Sequence, residues 1–414
     1  MMRMLQIRPL DPIVVRDGRP FGETPGARAH SMDEITPSVV AGTIRTLLGK
    51  YLSDASHNDI VFQSKTMEWI TKLVVRGPLY EWGGKLYFPV PKDMEIYEVN
   101  GRLQAGIKRP VRISHEQGFL GTGKTGQYED ILWPVSIRHE GKPSPHAPAY
   151  ISADWMIKWL GDSLPLNDWS QTLDNWHKYY RELHSQTNVH PVDLPFMPSF
   201  VRDIRTHTAI DSSTHKAKDQ ALFTTEALVL PEGMSLLTGV EWPEDNIEWR
   251  WPEHLSAVHS FGGKRRLAHF SEVKHEDLWR CPDDILSRVD GARFIRMVLI
   301  TPAYFSKGWK PGWLDNELQT TEEFHPEVRL QLRWACVPRW QPISGWSYAR
   351  RKAKAVRRMA PAGSVYFFEV KSGNPLQLVE QLWLQSVSDP NRRKGALDRE
   401  DGFGLAVWGI WSPQ

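Results

Sequence analysis

Cysteine is nearly absent: the 414 residues hold only Cys281 and Cys336, in unlike surroundings and without C-x-x-C spacing. That excludes a disulfide framework and fits a reducing compartment, so a cytoplasmic location is expected. Long apolar runs are also missing. No stretch approaches the ~18 apolar residues of a membrane span, and the opening MMRMLQIRPLDPIVV is interrupted at Arg8 and Asp11, so neither a span nor a signal peptide is expected. Net charge is only +2, so any polyanion-binding surface must be local and balanced by acid elsewhere. HE occurs at His115, His139 and His275 but never continues to H-E-x-x-H, and no Cys or His cluster has zinc spacing. There is no G-x-S-x-G elbow. No metal, cofactor or covalent nucleophile is expected. His30, His207 and His215, in polar segments, leave acid–base RNA cleavage open beside plain surface roles.

Tryptophan, by contrast, is abundant. Of nineteen, Trp82, Trp133, Trp242, Trp309, Trp340 and Trp346 stand beside proline, glycine or charge, where complete burial is less expected. GFLGTGKT at 118–125 spells the phosphate-loop consensus G-x-x-x-x-G-K-[ST]. Its flanks argue against a nucleotide hydrolase. GIKRPVRISHEQ is too charged for the buried parallel strand that must deliver the loop, and Gly126 and Pro134 leave no room for the helix that must come next. Lys124 is left as a candidate phosphate contact, with RNA the favoured source.

The pattern along the chain is α+β. LQIRPLDPIVV reads as a strand, RDGRPFGETPGARAH as a loop and TPSVVAGTIRTLLGKYL as a helix, with Thr36 as cap, Pro37 at the first position and Val40, Ile44, Leu47, Leu48 and Tyr51 as its apolar stripe. Short β-rich runs fill about 74 to 150, and ADWMIKWLGD and DWSQTLDNWHKYYRELHSQ read as helices of an insertion at about 150–200. SVYFFEV, NPLQLVEQLWLQSV, LDREDGFG and LAVWGIW close the chain as strand, helix, glycine loop and strand, the last half of a ferredoxin-like unit. The halves are expected to divide into 1–225 and 226–414.

Three segments suit RNA. ARRKAKAVRR holds Arg350, Arg351, Lys352, Lys354, Arg357 and Arg358 and no acid: a basic stripe if helical, a backbone track if extended, a solvated face otherwise. In SFGGKRRLAHF, Gly262 and Gly263 precede Lys264, Arg265 and Arg266, which permits close phosphate approach or simply makes a tight charged hairpin. In DGFGLAVWGIW, Gly402 and Gly404 flank Phe403, either a stacking ring with close backbone approach or a turn that needs glycine.

LDPIVVRDGRPF, ITPSVVAGTIRTLLG, RTHTAIDSSTHKAKDQALFTTEAL, SFGGKRRLAHF, LITPAYFSKGW, GWSYARRKAKAVRRMAPAGSVYFFEV and DGFGLAVWGIW, in this order over nearly the whole chain, resemble the Cmr subunit three family of RAMP (repeat-associated mysterious protein) components of type III-B CRISPR effector complexes. The resemblance implies two ferredoxin-like (RRM-like) RAMP domains with insertions, binding of the repeat-derived 5′ tag of the guide RNA, and no catalysis. It implies a place at the foot of the complex beside the large polymerase-like subunit and a backbone RAMP subunit, with target RNA engaged only indirectly. Its motif positions carry over Arg16, Gly18, Arg19, Thr36, Ser38 and Arg45 together with the three RNA-suited segments. The phosphate-loop look-alike and the 150–200 insertion depart from the family pattern. The rivals are a guide-processing ribonuclease using a histidine and, further off, a nucleotide hydrolase at Lys124.

Overall fold

A computed structural model describes residues 2–17, 27–52, 64–112, 132–136, 141–183, 195–242, 250–274, 276–347, 352–390 and 397–413. The chain starts with β1 (Met2–Pro9), β2 (Ala27–Ala29), α1 (Pro37–Leu52), α2 (Ser64–Lys72), β3 (Val74–Trp82) and β4 (Lys85–Pro89). Short strands come next: β5 (Met94–Val99), β6 (Arg102–Ile107), β7 (Arg109–Pro110), β8 (Val135–Ser136), β9 (Lys142–Pro143) and β10 (Tyr150–Ser152). Then come α3 (Ala153–Leu160), α4 (Leu166–Leu183), β11 (Phe196–Met197), a long hairpin of β12 (Val201–Ile210) and β13 (Ala217–Val229), and β14 (Ser235–Glu241), β15 (Ser256–Ser260) and β16 (Leu267–Val273). The remainder is α5 (Asp283–Val289), β17 (Phe294–Leu299), β18 (Arg329–Cys336), β19 (Gln341–Ile343), β20 (Trp346–Ser347), β21 (Lys352–Ala353), β22 (Arg357–Met359), β23 (Val365–Ser372), α6 (Pro375–Leu382), β24 (Gln385–Ser386) and β25 (Leu405–Ile410).

Two antiparallel sheets dominate, one ordered β11-β10-β4-β3-β14-β1-β16-β15 and the other β18-β23-β17-β25-β24. Four strands in each share one arrangement: β3-β14-β1-β16 and β18-β23-β17-β25 both put the first strand in sequence between the third and the fourth. The crossovers differ. From β1 to β3 the chain carries α1 and α2, whereas from β17 to β18 it runs through turns without a helix. From β23 to β25 it carries α6, whereas among the described residues from β14 to β16 there is only β15.

The division at 225/226 does not hold. It falls inside β13, and it would separate β1 from both of its partners, β14 and β16. The chain leaves the first sheet only after Val273.

Helix signals in the sequence hold well. Pro37 opens α1 and Val40, Ala41, Ile44, Leu47 and Leu48 are buried against the first sheet, but Tyr51 is 48% exposed and lies off the stripe. Asn374 caps α6 by accepting from the Leu376 amide at 3.0 Å, with Pro375 at the first helical position.

The 150–200 insertion has a structural task. Its helix α3 packs on β25, where the bare Cα of Gly409 leaves room: a Cβ there would sit 2.3 Å from the Leu160 carbonyl oxygen. Arg296 of β17 is buried beneath it, donating to Asp93 at 2.8 Å and to the Trp159 carbonyl, while Trp159 Nε1 donates to Asp93 at 3.0 Å. Insertion and second sheet thus share one core. No described helix is long and apolar enough to cross a membrane.

Candidate RNA interface

The β15–β16 hairpin turns through 261–266, and glycine chemistry sets its seat. Gly262 has φ +75°, and a Cβ there would lie 2.7 Å from the Val14 carbonyl oxygen, which also accepts from the Gly263 amide at 2.7 Å. Lys264 and Arg265 come next at φ +62° and +55°, two successive non-glycine residues in the left-handed region. Both are exposed. Arg266 turns back towards Asp11 at 3.9 Å, and the Leu267 amide donates to the same carboxylate at 2.9 Å. A Cβ on Gly263 would meet the Arg16 side chain at 3.4 Å, so Arg16 lies beside this turn.

The hairpin β12–β13 stands next to it as a projecting arm. Its base is held by Glu226, whose side chain is 2% exposed and is paired with Arg28, Arg202 at 2.7 Å and His30 at 3.3 Å; Arg202 continues to Asp33. Burial would raise the Glu226 carboxyl, but the hydrogen bond and charge of Arg28, with His30 and Arg202, hold it below the ordinary range. Towards the tip both faces of β12 are open to solvent. His207 pairs with Phe223 across the strands and stacks on it, centroids 5.1 Å apart and planes 20° apart, with the Lys264 ammonium 5.1 Å from the Phe223 centroid. Turn and arm therefore meet at an aromatic ring.

The basic run is extended. Its described part forms β21 and β22, which pair with β20 and β19, so the helical alternative is set aside. Lys352, Lys354 and Arg358 are exposed, and Arg358 lies 4.7 Å from the Trp340 ring centroid. Although Lys354 is exposed as a residue, its ammonium loses enough water that its pKa falls, with nearby Asp401 opposing the shift. The segment 31–36 links this ribbon to the arm, because Arg202 reaches Asp33 and the neighbouring Glu34 accepts from Gln341 at 2.7 Å.

The glycine loop requires a correction. Phe403 has no exposed surface, so no base can stack on it without unpacking the core. Gly402, φ +91°, lies against protein backbone: a Cβ would be 2.7 Å from the Val75 and 2.8 Å from the Gly77 carbonyl oxygens. Gly404, φ +80°, closes on the Ser388 hydroxyl in the same way. Arg357 also belongs here, ion-paired to buried Asp398 and 5.1 Å from the Phe403 ring centroid, with its pKa lowered by burial. Arg45 is 7% exposed, paired to Asp401 and donating to the carbonyls of Leu73 at 2.8 Å and Glu400 at 3.0 Å. Thr36 and Ser38 are buried with their hydroxyls 3.4 Å apart. Arg45 and Arg357 tie the loop 398–401 to α1 and β22, and all of these side chains have little or no surface to offer RNA.

Gly18, Arg19, Arg350, Arg351 and the GFLGTGKT segment with Lys124 lie outside the described residues. His30 faces Glu226, His207 meets the Thr225 hydroxyl at 2.9 Å, and His215 is exposed in the arm's turn, so the three do not converge. Burial pushes both cysteine thiols up to about 12, which leaves them protonated at neutral pH. Among the described residues no group of three His, Cys, Asp or Glu is arranged to hold a metal. The sequence reading missed Phe223, Glu226, Asp398 and Asp401. The two aspartates stand in LDREDGFG, and only their partners, far away in sequence, reveal their task.

Comparison with known proteins sets the class and then the family. The class is that of CRISPR-associated proteins, here with mixed helix and sheet. Residues 5–411 match the family described as CRISPR-associated protein (Cas_Cmr3), and the chain belongs to that family. A chain of the type III-B Cmr-beta complex bound to cognate target RNA is similar at 14% identity, with 88% of this chain and 86% of that one covered and a TM-score of 0.44. A chain of the Csm3–Csm4 subcomplex of the type III-A complex is similar at 9% identity, 89% and 94% coverage and a TM-score of 0.36. A search of curated protein sequences finds no match to this chain.

Proposed function

We propose that this chain is a non-catalytic RNA-binding subunit that holds the repeat-derived 5′ tag of the guide RNA. In this reading it anchors the large polymerase-like subunit and a backbone RAMP subunit at the foot of the cytoplasmic complex. The two sheets of equal strand order are read as diverged ferredoxin-like RAMP units. Family membership supplies the setting, and one observation carries the RNA contact: Lys264 and Arg265 are held in the left-handed region and exposed beside Arg16. Such backbone costs on the order of 1–3 kcal/mol per residue, and two in succession, both cationic, suit a segment kept for display of charge to an anion. The cation above Phe223 and the ring of His207 extend the same surface from phosphate towards base contacts.

The test replaces Lys264 and Arg265 together by glutamine and measures binding of tagged guide RNA against salt. Affinity should fall by at least tenfold, and the slope of log K against log salt should shrink by ~0.7 per lost phosphate contact, with the thermal midpoint unchanged. Unchanged affinity and slope would refute the assignment.

A further inference from the structure

Among the described residues three tryptophans are exposed, Trp309 at 45%, Trp340 at 41% and Trp346 at 51%, whereas Trp159, Trp169, Trp176, Trp408 and Trp411 are among those that are buried. Two of them lie on one ribbon. The pairs Gln341–Met359 and Ile343–Arg357 make its inner hairpin and Trp346–Ala353 its outer one. The Lys354 amide joins the two by donating to the Gly345 carbonyl at 2.8 Å, and the Ser344 hydroxyl donates to the Lys354 carbonyl at 2.8 Å. Ile343 and Met359 have no exposed surface and anchor the ribbon in the core of the first sheet, which leaves its outer part to solvent.

The indoles differ in how they are covered. Trp340 has the Arg358 guanidinium 4.7 Å and the Arg339 guanidinium 5.8 Å from its centroid, so its π surface is already used by cations. No ring or cation among the described residues lies on Trp346. Its surroundings are cationic. No Asp or Glu occurs anywhere between Glu327 and Glu369, while Lys352 and Lys354 are exposed on the strand paired to Trp346 or just beyond it. An exposed indole that no described ring or cation covers, on a ribbon whose own side chains are basic and whose acidic neighbours Asp398 and Asp401 lie on the side of Arg357 and Lys354, combines the two elements of single-strand recognition, a stacking face and a track for phosphates.

We propose that Trp346 is a stacking platform for an unpaired RNA base, with Lys352 and Arg358 meeting the flanking phosphates. This rests on the RNA-binding function proposed for the turn 261–266 and adds a second contact region, reached from the arm along the segment 31–36. A duplex cannot use it, because paired bases offer no free face to the indole. An acidic protein segment would use the cations and not the ring.

The experiment measures binding of the full-length chain to a labelled oligoadenylate single strand, to an RNA duplex and to polyglutamate. Trp346→Ala should weaken oligoadenylate binding about tenfold at an unchanged salt slope, Trp346→Phe should keep it, and Lys352→Gln should instead reduce the slope by ~0.7. Oligoadenylate binding that survives Trp346→Ala intact overturns the inference, as does a loss confined to polyglutamate. If the Lys264 and Arg265 double variant loses RNA while Trp346→Ala does not, this inference fails alone. If the unaltered chain binds none of the RNAs, the functional reading fails with it.

Discussion

The turn 261–266 and the loop 398–404 look alike in sequence, glycines set around charged or aromatic residues, yet one displays its side chains and the other hides them. Both use positive φ and both press a glycine against a carbonyl oxygen of a distant segment: Gly262 on Val14, Gly402 on Val75. The neighbours of the glycine separate them. Lys264 and Arg265 stand in solvent, while Phe403 is enclosed and Asp398 and Asp401 are neutralised by Arg357 and Arg45. A glycine turn therefore signals close backbone approach, and says nothing about whether the approaching partner is RNA or the protein itself.

The contrast can be broken most sharply at Gly402. Gly402→Val would add a strained left-handed residue and a clash with two backbone carbonyls, and we expect a loss on the order of 4 kcal/mol in a denaturant titration. Gly291→Val, at φ +62° with nothing within 4 Å, should cost far less; equal losses would show that the packing of Gly402 is unimportant. Next is Arg45→Met, which leaves Asp401 buried and unpaired. A loss of about 3–5 kcal/mol is expected, with much of it recovered when Asp401→Leu is added. If instead Arg45→Met abolished RNA binding in a chain of normal stability, the loop would have to be moved to the display side of the comparison.

The display side should respond in the opposite sense. Neutralising Lys264 and Arg265 should lower RNA affinity and leave the melt alone. The smallest effect is expected at Glu226, whose carboxyl is held low by Arg28 and Arg202. A depressed carboxylate pKa stabilises the fold above the unfolded value and stops doing so as pH falls through the folded one. The gap in stability between the unaltered chain and Glu226→Gln should be on the order of 1 kcal/mol at neutral pH and close on acidification, since Arg28 and Arg202 are partly solvated. A gap independent of pH would mean that the charge does not hold the arm.

Much of the fold is legible in the sequence because local rules set it. The Thr-Pro start of α1, the Asn-Pro cap of α6 and the apolar runs of β17, β18, β23 and β25 each depend on neighbours in sequence. The division between the halves is misplaced because β14 and β16 complete a sheet begun more than two hundred residues earlier, and strand pairing over that distance leaves no local mark. For the candidate site, composition alone picks out the turn 261–266 and the basic run. It does not pick out Phe223, whose importance comes from His207 across the hairpin and Lys264 on another sheet.

By itself the sequence determined the element types, the positions of glycine turns and basic segments, and the family, all of which rest on short-range propensity or on ordered motifs. Only the tertiary structure decided which charged residues face water and which are spent on one another. Arg45 in α1, Arg357 in β22 and Lys264 and Arg265 in a turn are all basic residues, and charge type does not tell them apart. Burial with an aspartate from the loop 398–404 turns the first two into packing, while the turn 261–266 holds the last two out in solvent. The physical reason is that the cost of removing a charge from water depends on what the rest of the chain places beside it.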